Sequence, residues 1–326
     1  MMAEMKHGTV ETNGIRMHYV EHGTGPLVVM CHGFPESWYS WRHQLEALGE
    51  AGFHAVAPDM RGYGNTDRPA DIDQYTLLHL TGDVVGLLDA LGAESAVIAG
   101  HDWGAPVAWL AALLRPDRFR GVIGLSVPYR PRGKVRPTTV MPRTDDAVFY
   151  QLYFQTPGVA EAEFEQDVRS TIRGALYWGS GDAPRQQDGD PAGLRFMVPR
   201  DGGWLARRPN PASLPPWLSE TDLDFYVGEF TRTGFGGGLN WYRNIDRNWE
   251  LMAPIAGARV SVPALYVAGD RDLVVSFPGM DQLIPNLSTF VPQLRGTIML
   301  PGCGHWTQQE RAQEVNAAMI QFLRDL

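Results

Sequence analysis

Apolar and polar residues alternate along the chain in two stretches of strand-like and helix-like pattern, with a longer helical stretch between them. Residues 9–12 and 15–20 alternate with period two about Asn13-Gly14, the dipeptide best suited to a two-residue hairpin, so the sheet is expected to start antiparallel. Residues 27–31, 55–59, 96–100, 120–127, 264–269 and 297–300 are short apolar runs, as expected of strands buried on both faces. Helical spacing joins Trp38, Trp41, Leu45 and Leu48 behind a capping Ser37, and Leu77, Leu80, Val84, Leu87, Leu88 and Leu91 up to Gly92. Val315, Met319, Ile320 and Phe322 mark a closing helix. The alternation stops after residue 127 and resumes at 264. Between them lie helical periods at 159–178 and 219–230, separated by a loop rich in Gly, Pro and Asp over 179–216. The expected architecture is α/β: a mostly parallel twisted sheet flanked by helices, formed by residues 1–129 and 251–326, with a helical lid inserted at 130–250.

The chain is organised around residues 96–109. A strand pattern ends at Gly100 and a helical one begins at Gly104, so His101, Asp102 and Trp103 form the turn between them. In the pattern Gly-x-nucleophile-x-Gly, the glycines remove Cβ atoms where strand and helix crowd, which exposes the central side chain at the strand's C-terminal end. Here that side chain is a carboxylate, Asp102, rather than a hydroxyl. Pro106 suits the first turn of the helix, whose free N–H groups point back towards Asp102.

Bulk properties narrow the function. At 326 residues the chain can hold a large core with an inserted subdomain. Lys and Arg number 28 against 37 for Asp and Glu, net −9, and no basic run offers a phosphate footprint, which argues against a nucleic-acid partner. The first residues lack the apolar stretch of a signal peptide, and no apolar run is long enough to span a bilayer, so a cytoplasmic protein without membrane partners is expected. Cys31 and Cys303 are too few for a disulfide framework and lack metal-ligand spacing; they read as small buried residues at strand ends rather than reactive thiols. Residues 61–64, Arg-Gly-Tyr-Gly, lack the third glycine of a nucleotide-binding loop. A metal site made of His32, His101 and Asp102 would show neither HExxH nor HxH spacing, so no metal and no cofactor is expected.

Gly100-His101-Asp102-Trp103-Gly104-Ala105, with His32-Gly33-Phe34-Pro35 upstream and Cys303-Gly304-His305-Trp306 downstream, resembles the soluble epoxide hydrolases of the α/β-hydrolase fold. The resemblance covers nearly the whole chain. It includes residues 149–155 and 239–244, which are similar to that family's two tyrosine-bearing lid helices. It implies a nucleophile Asp102, an acid Asp272 and a base His305, in the chain order of the α/β-hydrolase triad, each just after a strand. Spacing alone leaves Asp270 a rival to Asp272, and Tyr153, one turn from Tyr150, a rival to it; the resemblance selects Asp272, Tyr150 and Tyr242. It further implies an oxyanion hole from the Phe34 and Trp103 N–H groups, and it makes the Phe34-Pro35 bond a candidate for cis. Phe34, Trp38, Trp103 and Trp306 are expected to bind substrate.

The residue types fit that chemistry. A carboxylate can displace a leaving group at an sp³ carbon and leave an alkyl ester, which must then be hydrolysed by water activated at a histidine. Opening an epoxide creates an alkoxide that needs an acid, which phenols can supply, whereas a departing halide needs only N–H donors. The expected partner is a mostly apolar small-molecule epoxide; a homodimer is left open. A haloalkane dehalogenase would share Asp102, Trp103 and His305, but Phe34 and the tyrosine pair argue against it. A binding or sensor protein on the same fold is the remaining rival, made less apt by an intact triad.

Overall fold

The structure is a computed structural model that describes residues 5–184, 196–208 and 210–326. Part of the loop expected at 179–216, namely 185–195 and 209, lies outside the described residues. Strands β1 (Lys6–Thr12), β2 (Ile15–His22), β3 (Leu27–Cys31), β4 (His54–Pro58), β5 (Ala96–His101) and β6 (Phe119–Leu125) precede a small antiparallel ribbon of β7 (Ala147–Phe149) and β8 (Met197–Pro199). β9 (Ala264–Gly269) and β10 (Leu294–Leu300) complete the main sheet, whose order is β1-β2-β4-β3-β5-β6-β9-β10. β1 and β2 pair antiparallel through a two-residue turn in which Asn13 and Gly14 both have positive φ, 46° and 77°. β2 also meets β4 antiparallel, and every pairing from β4 to β10 is parallel.

Parallel strands are buried on both faces, and successive residues divide between two cores. Val29, Cys31 and Ile98 face one core, shared with helices Leu77–Ala90 and Gly104–Leu114; Val28, Met30, Val97 and Ala99 face the other, shared with Arg42–Glu50 and Ala312–Arg324. The first core continues without a break into Phe154, Phe164, Ile172, Leu223, Phe235 and Trp241 of the segment between β6 and β9.

Two helical readings need correction. The period over 159–178 is two helices, Val159–Phe164 and Val168–Gly179, because Asp167 leaves helical geometry and caps the second by accepting from the Ser170 N–H. The pattern starting at Trp38 begins as a 3₁₀ turn, Trp38–Trp41, and becomes an α-helix only at Arg42–Glu50. Glu220–Thr233 starts where its sequence indicates: the Ser219 side chain accepts from the Asp222 N–H and Asp222 reaches back to the Ser219 N–H.

Candidate active site

β5 lies between β3 and β6 in the sheet and carries Asp102 just beyond its last residue. Asp102 adopts φ 49°, in the left-handed region that non-glycine residues rarely occupy. The flanking glycines are required by close approach: a Cβ on Gly100 would lie 2.1 Å from the Gly104 oxygen, and one on Gly104 would lie 2.0 Å from the Cys31 oxygen. The loop after β3 presses equally close, since a Cβ on Gly33 would sit 2.3 Å from Asp102 Oδ1. That contact lets the Phe34 N–H donate to Oδ1 at 2.9 Å, and the Phe34-Pro35 bond is cis.

His305 faces the other carboxylate oxygen, with Nε2 3.3 Å from Asp102 Oδ2. Its Nδ1 is 3.0 Å from Asp272 Oδ1 and 3.1 Å from Ser126 Oγ. Asp272 is buried and also accepts the Val274 N–H, whereas Asp270 is exposed and accepts the Gly302 N–H at the turn after β10. The main chain of His305 is fixed at both ends: its N–H donates to the Gly179 oxygen at 2.8 Å, and its carbonyl faces His101 Nε2 at 2.7 Å. His101 Nδ1 meets Glu36 Oε2 at 2.7 Å, and that oxygen also accepts the Gly33 N–H. Glu36 and His101 are fully buried, and together they join the loops of residues 33, 101 and 305. Sequence reasoning missed this pair, because nothing local marks two polar residues 65 positions apart as partners. Both nitrogens of His32 are likewise engaged, one with the Gly33 oxygen and one with the Met60 N–H.

The charges oppose one another. Burial would raise the Asp102 carboxyl, but the His305 bond and charge, then His101 and the Phe34 N–H, outweigh it and hold the group below its ordinary value. Burial would lower His305, yet the Asp272 charge and the bonds to Asp102 and Asp272 hold it well above its ordinary value.

Two phenols lie within reach of the Asp102 charge. Tyr150 begins the single turn Tyr150–Tyr153, and Tyr242 lies in Gly236–Arg243; their rings are 6.1 Å apart, edge to face. Tyr242 also packs edge-on against Phe34 at 5.6 Å and Trp103 at 5.1 Å. Burial first, and then the Asp102 charge, push both phenols up. Tyr153 is turned elsewhere, donating its O–H to Glu163 at 2.6 Å. Tyr63, singled out earlier only as part of a loop, is buried among His32, Phe230 and Trp241 and also feels the Asp102 charge.

Two expected substrate-binding residues have other places. Trp38 lies in the core on the opposite sheet face, packed edge-on against His7, Tyr39 and Phe225. Trp306 is buried behind His305, with its indole N–H donating to the Leu176 oxygen at 2.6 Å, so it anchors Val168–Gly179 rather than facing open space. Phe34 and Trp103 remain half-buried beside Asp102.

Comparison with known proteins gives the family. The α/β-hydrolase fold family matches residues 26–312. Epoxide hydrolase A of Mycobacterium tuberculosis is 49% identical over 97% of each chain, and epoxide hydrolase 3 of Siraitia grosvenorii 43% identical over 99% of each. The solved structure of an epoxide hydrolase from an endophytic Streptomyces superposes with a TM-score of 0.92 at 48% identity, covering 98% of this chain and 95% of that one. The chain therefore belongs to the epoxide hydrolase family of the α/β-hydrolase fold.

Proposed function

We propose that this protein hydrolyses a mostly apolar epoxide to a vicinal diol through an ester formed on Asp102. The observation that carries the reading is the split environment of one carboxylate, whose charge is also felt by two buried phenols: Oδ1 accepts the Phe34 N–H, while Oδ2 faces His305. Oδ2 attacks a ring carbon, the carbon–oxygen bond of the ring breaks, and the departing oxygen takes a proton from Tyr150 or Tyr242. Water then loses a proton to His305 Nε2 and adds to the ester carbonyl carbon, the Asp102 Cγ. Oδ1 carries the resulting charge between the Phe34 and Trp103 N–H groups. Collapse breaks the bond between Cγ and Oδ2; the departing alkoxide takes the proton of the new carboxylic acid, which leaves the diol and an Asp102 carboxylate, and the proton on His305 returns through solvent to the phenolate.

Aromatic surroundings support an apolar substrate, since Phe34, Trp103, Phe154 and Tyr242 contact one another around the carboxylate. Halide displacement would call for a lid tryptophan N–H near Asp102, and that of Trp241 is given to the Arg61 oxygen. The test is a single turnover in ¹⁸O-water with enzyme in excess. The label is expected in Asp102 and absent from the first diol; label entering that diol directly would mean attack by water on the epoxide.

A further inference from the structure

Asp272 holds the histidine through one oxygen only. Its Oδ1 serves both His305 Nδ1 and the Val274 N–H, while Oδ2 is buried without a partner among the described residues. Once Asp102 Oδ2 is taken up in the ester, Asp272 Oδ1 is the carboxylate oxygen left on the ring, and rotation about that contact would swing Nε2 away from the ester. A second contact exists at the same nitrogen. Ser126, at the end of β6, places Oγ 3.1 Å from His305 Nδ1 and is fully buried. It does so with φ 67°, a conformation costly for serine, and its carbonyl is fixed by the buried phenol of Tyr266 at 2.7 Å. Strain of this kind persists where the surroundings over-determine it, and here the effect is to aim one hydroxyl at one nitrogen.

We infer that Ser126 is a positioning residue for His305: its Oγ accepts the Nδ1–H together with Asp272, fixing the ring from two adjacent strands so that Nε2 stays on the ester. The inference rests on the two-step reading above, in which His305 acts only in ester hydrolysis. The bond should be stronger when the ring is charged, so Ser126 also favours the protonated ring. The other groups that bear on the ring are Asp102 and Asp272, bonded to it, and His101, 4.9 Å away, with Glu36 behind it; none of these changes in a Ser126 variant.

Ser126→Ala removes the hydroxyl and keeps the strained backbone, while Ser126→Gly removes the hydroxyl and relieves the strain. In single-turnover measurements both should alkylate Asp102 at nearly the normal rate and hydrolyse the ester roughly tenfold more slowly, the size expected for losing a bond to a charged group. The acidic limb of the hydrolysis step should move to lower pH by about one unit, because the charged ring has lost an acceptor. Both variants should also shift the low-field proton NMR signal of Nδ1–H. Normal hydrolysis with an unmoved limb and an unmoved signal would overturn the role of Ser126. If the wild-type protein forms no ester, the two-step reading fails by itself, and the Nδ1–H signal still decides whether Ser126 holds the ring.

Discussion

Asp102 and His305 stabilise each other's charged forms, and an ester on Asp102 would cancel one half of that arrangement. Two of the causes that raise His305, its bond to Asp102 and the Asp102 charge, vanish on alkylation, while burial, which lowers it, remains. The histidine should therefore become a free base at lower pH in the ester than in the resting protein. Asp102→Asn imitates the neutral ester, and NMR titration should find its His305 titrating at lower pH than in wild type; equal values would reject this coupling. At the phenols, Tyr150→Phe or Tyr242→Phe alone should slow ring opening and leave some activity, because either can protonate the departing oxygen. Removing both should cost at least about 10²–10³ in rate, as for loss of an oxyanion donor, without accumulation of ester. Tyr153→Phe should leave ring opening unchanged, since its O–H is spent on Glu163. By contrast, His305→Gln should accumulate the ester, visible as protein plus substrate mass. Asp102 was legible in the sequence because its turn needs glycines at fixed offsets. Ser126, Glu36 and His101 were not, because a buried polar residue at a strand end gives no sign of the partner it meets from a distant strand.

Helices and loops are held to the site by backbone contact as much as by side chains. A Cβ on Gly304 would lie 2.2 Å from the Gly181 nitrogen, and one on Gly181 would lie 2.1 Å from the Gly302 oxygen, so the end of Val168–Gly179 rests directly on the histidine loop. Glu310 fastens that contact by accepting three N–H groups, from Gly181, Gly304 and Trp306. Glu310→Gln replaces one of the two acceptor oxygens by a donor, so at least one N–H is left unpaired. It should lower stability by about 1–3 kcal/mol in denaturant unfolding and slow ester hydrolysis more than alkylation, because His305 N–H is anchored to Gly179 in the same contact. Stability lost with no change in the ratio of the two steps would make Glu310 a structural clip alone. The apolar pattern foretold the helix after Asp102 and the one over Glu220–Thr233, the second of which Ser219 caps. It could not see the break at Asp167, since the apolar rhythm runs on across it. Trp38 and Trp306 have other places for a related reason: nearness to a motif in sequence tells neither that Trp38 joins the core of the opposite sheet face nor that Trp306 is spent on the Leu176 carbonyl.

Across the whole molecule, the inserted segment and the sheet share one core, which runs from Val29 and Ile98 through Tyr63 to Phe235, Leu239 and Trp241. A buried ion pair stands at this junction. Arg61 grips Asp83 through Nε at 2.8 Å and Nη2 at 2.6 Å, Asn13 donates to Asp83 Oδ1, and the Arg61 carbonyl accepts the Trp241 N–H. The loop that superficially suggested nucleotide binding thus joins the first hairpin, the helix Leu77–Ala90 and the inserted helices. The strand rhythm stops after 127 and resumes at 264, and β6 and β9, which flank that gap, are neighbours in the sheet; no local pattern pairs Arg61 with residues 22 and 180 positions away. Asp83→Ala would leave Arg61 charged, buried and without its carboxylate, a change that typically costs about 3–5 kcal/mol. With a shared core, that loss should lower the whole unfolding transition, by roughly 4–7 °C, and keep it single. Differential scanning calorimetry of the wild type and Asp83→Ala measures both quantities: two resolved transitions in either protein would show that the inserted helices unfold apart from the sheet, and an unmoved midpoint would show that the pair contributes nothing to joining them.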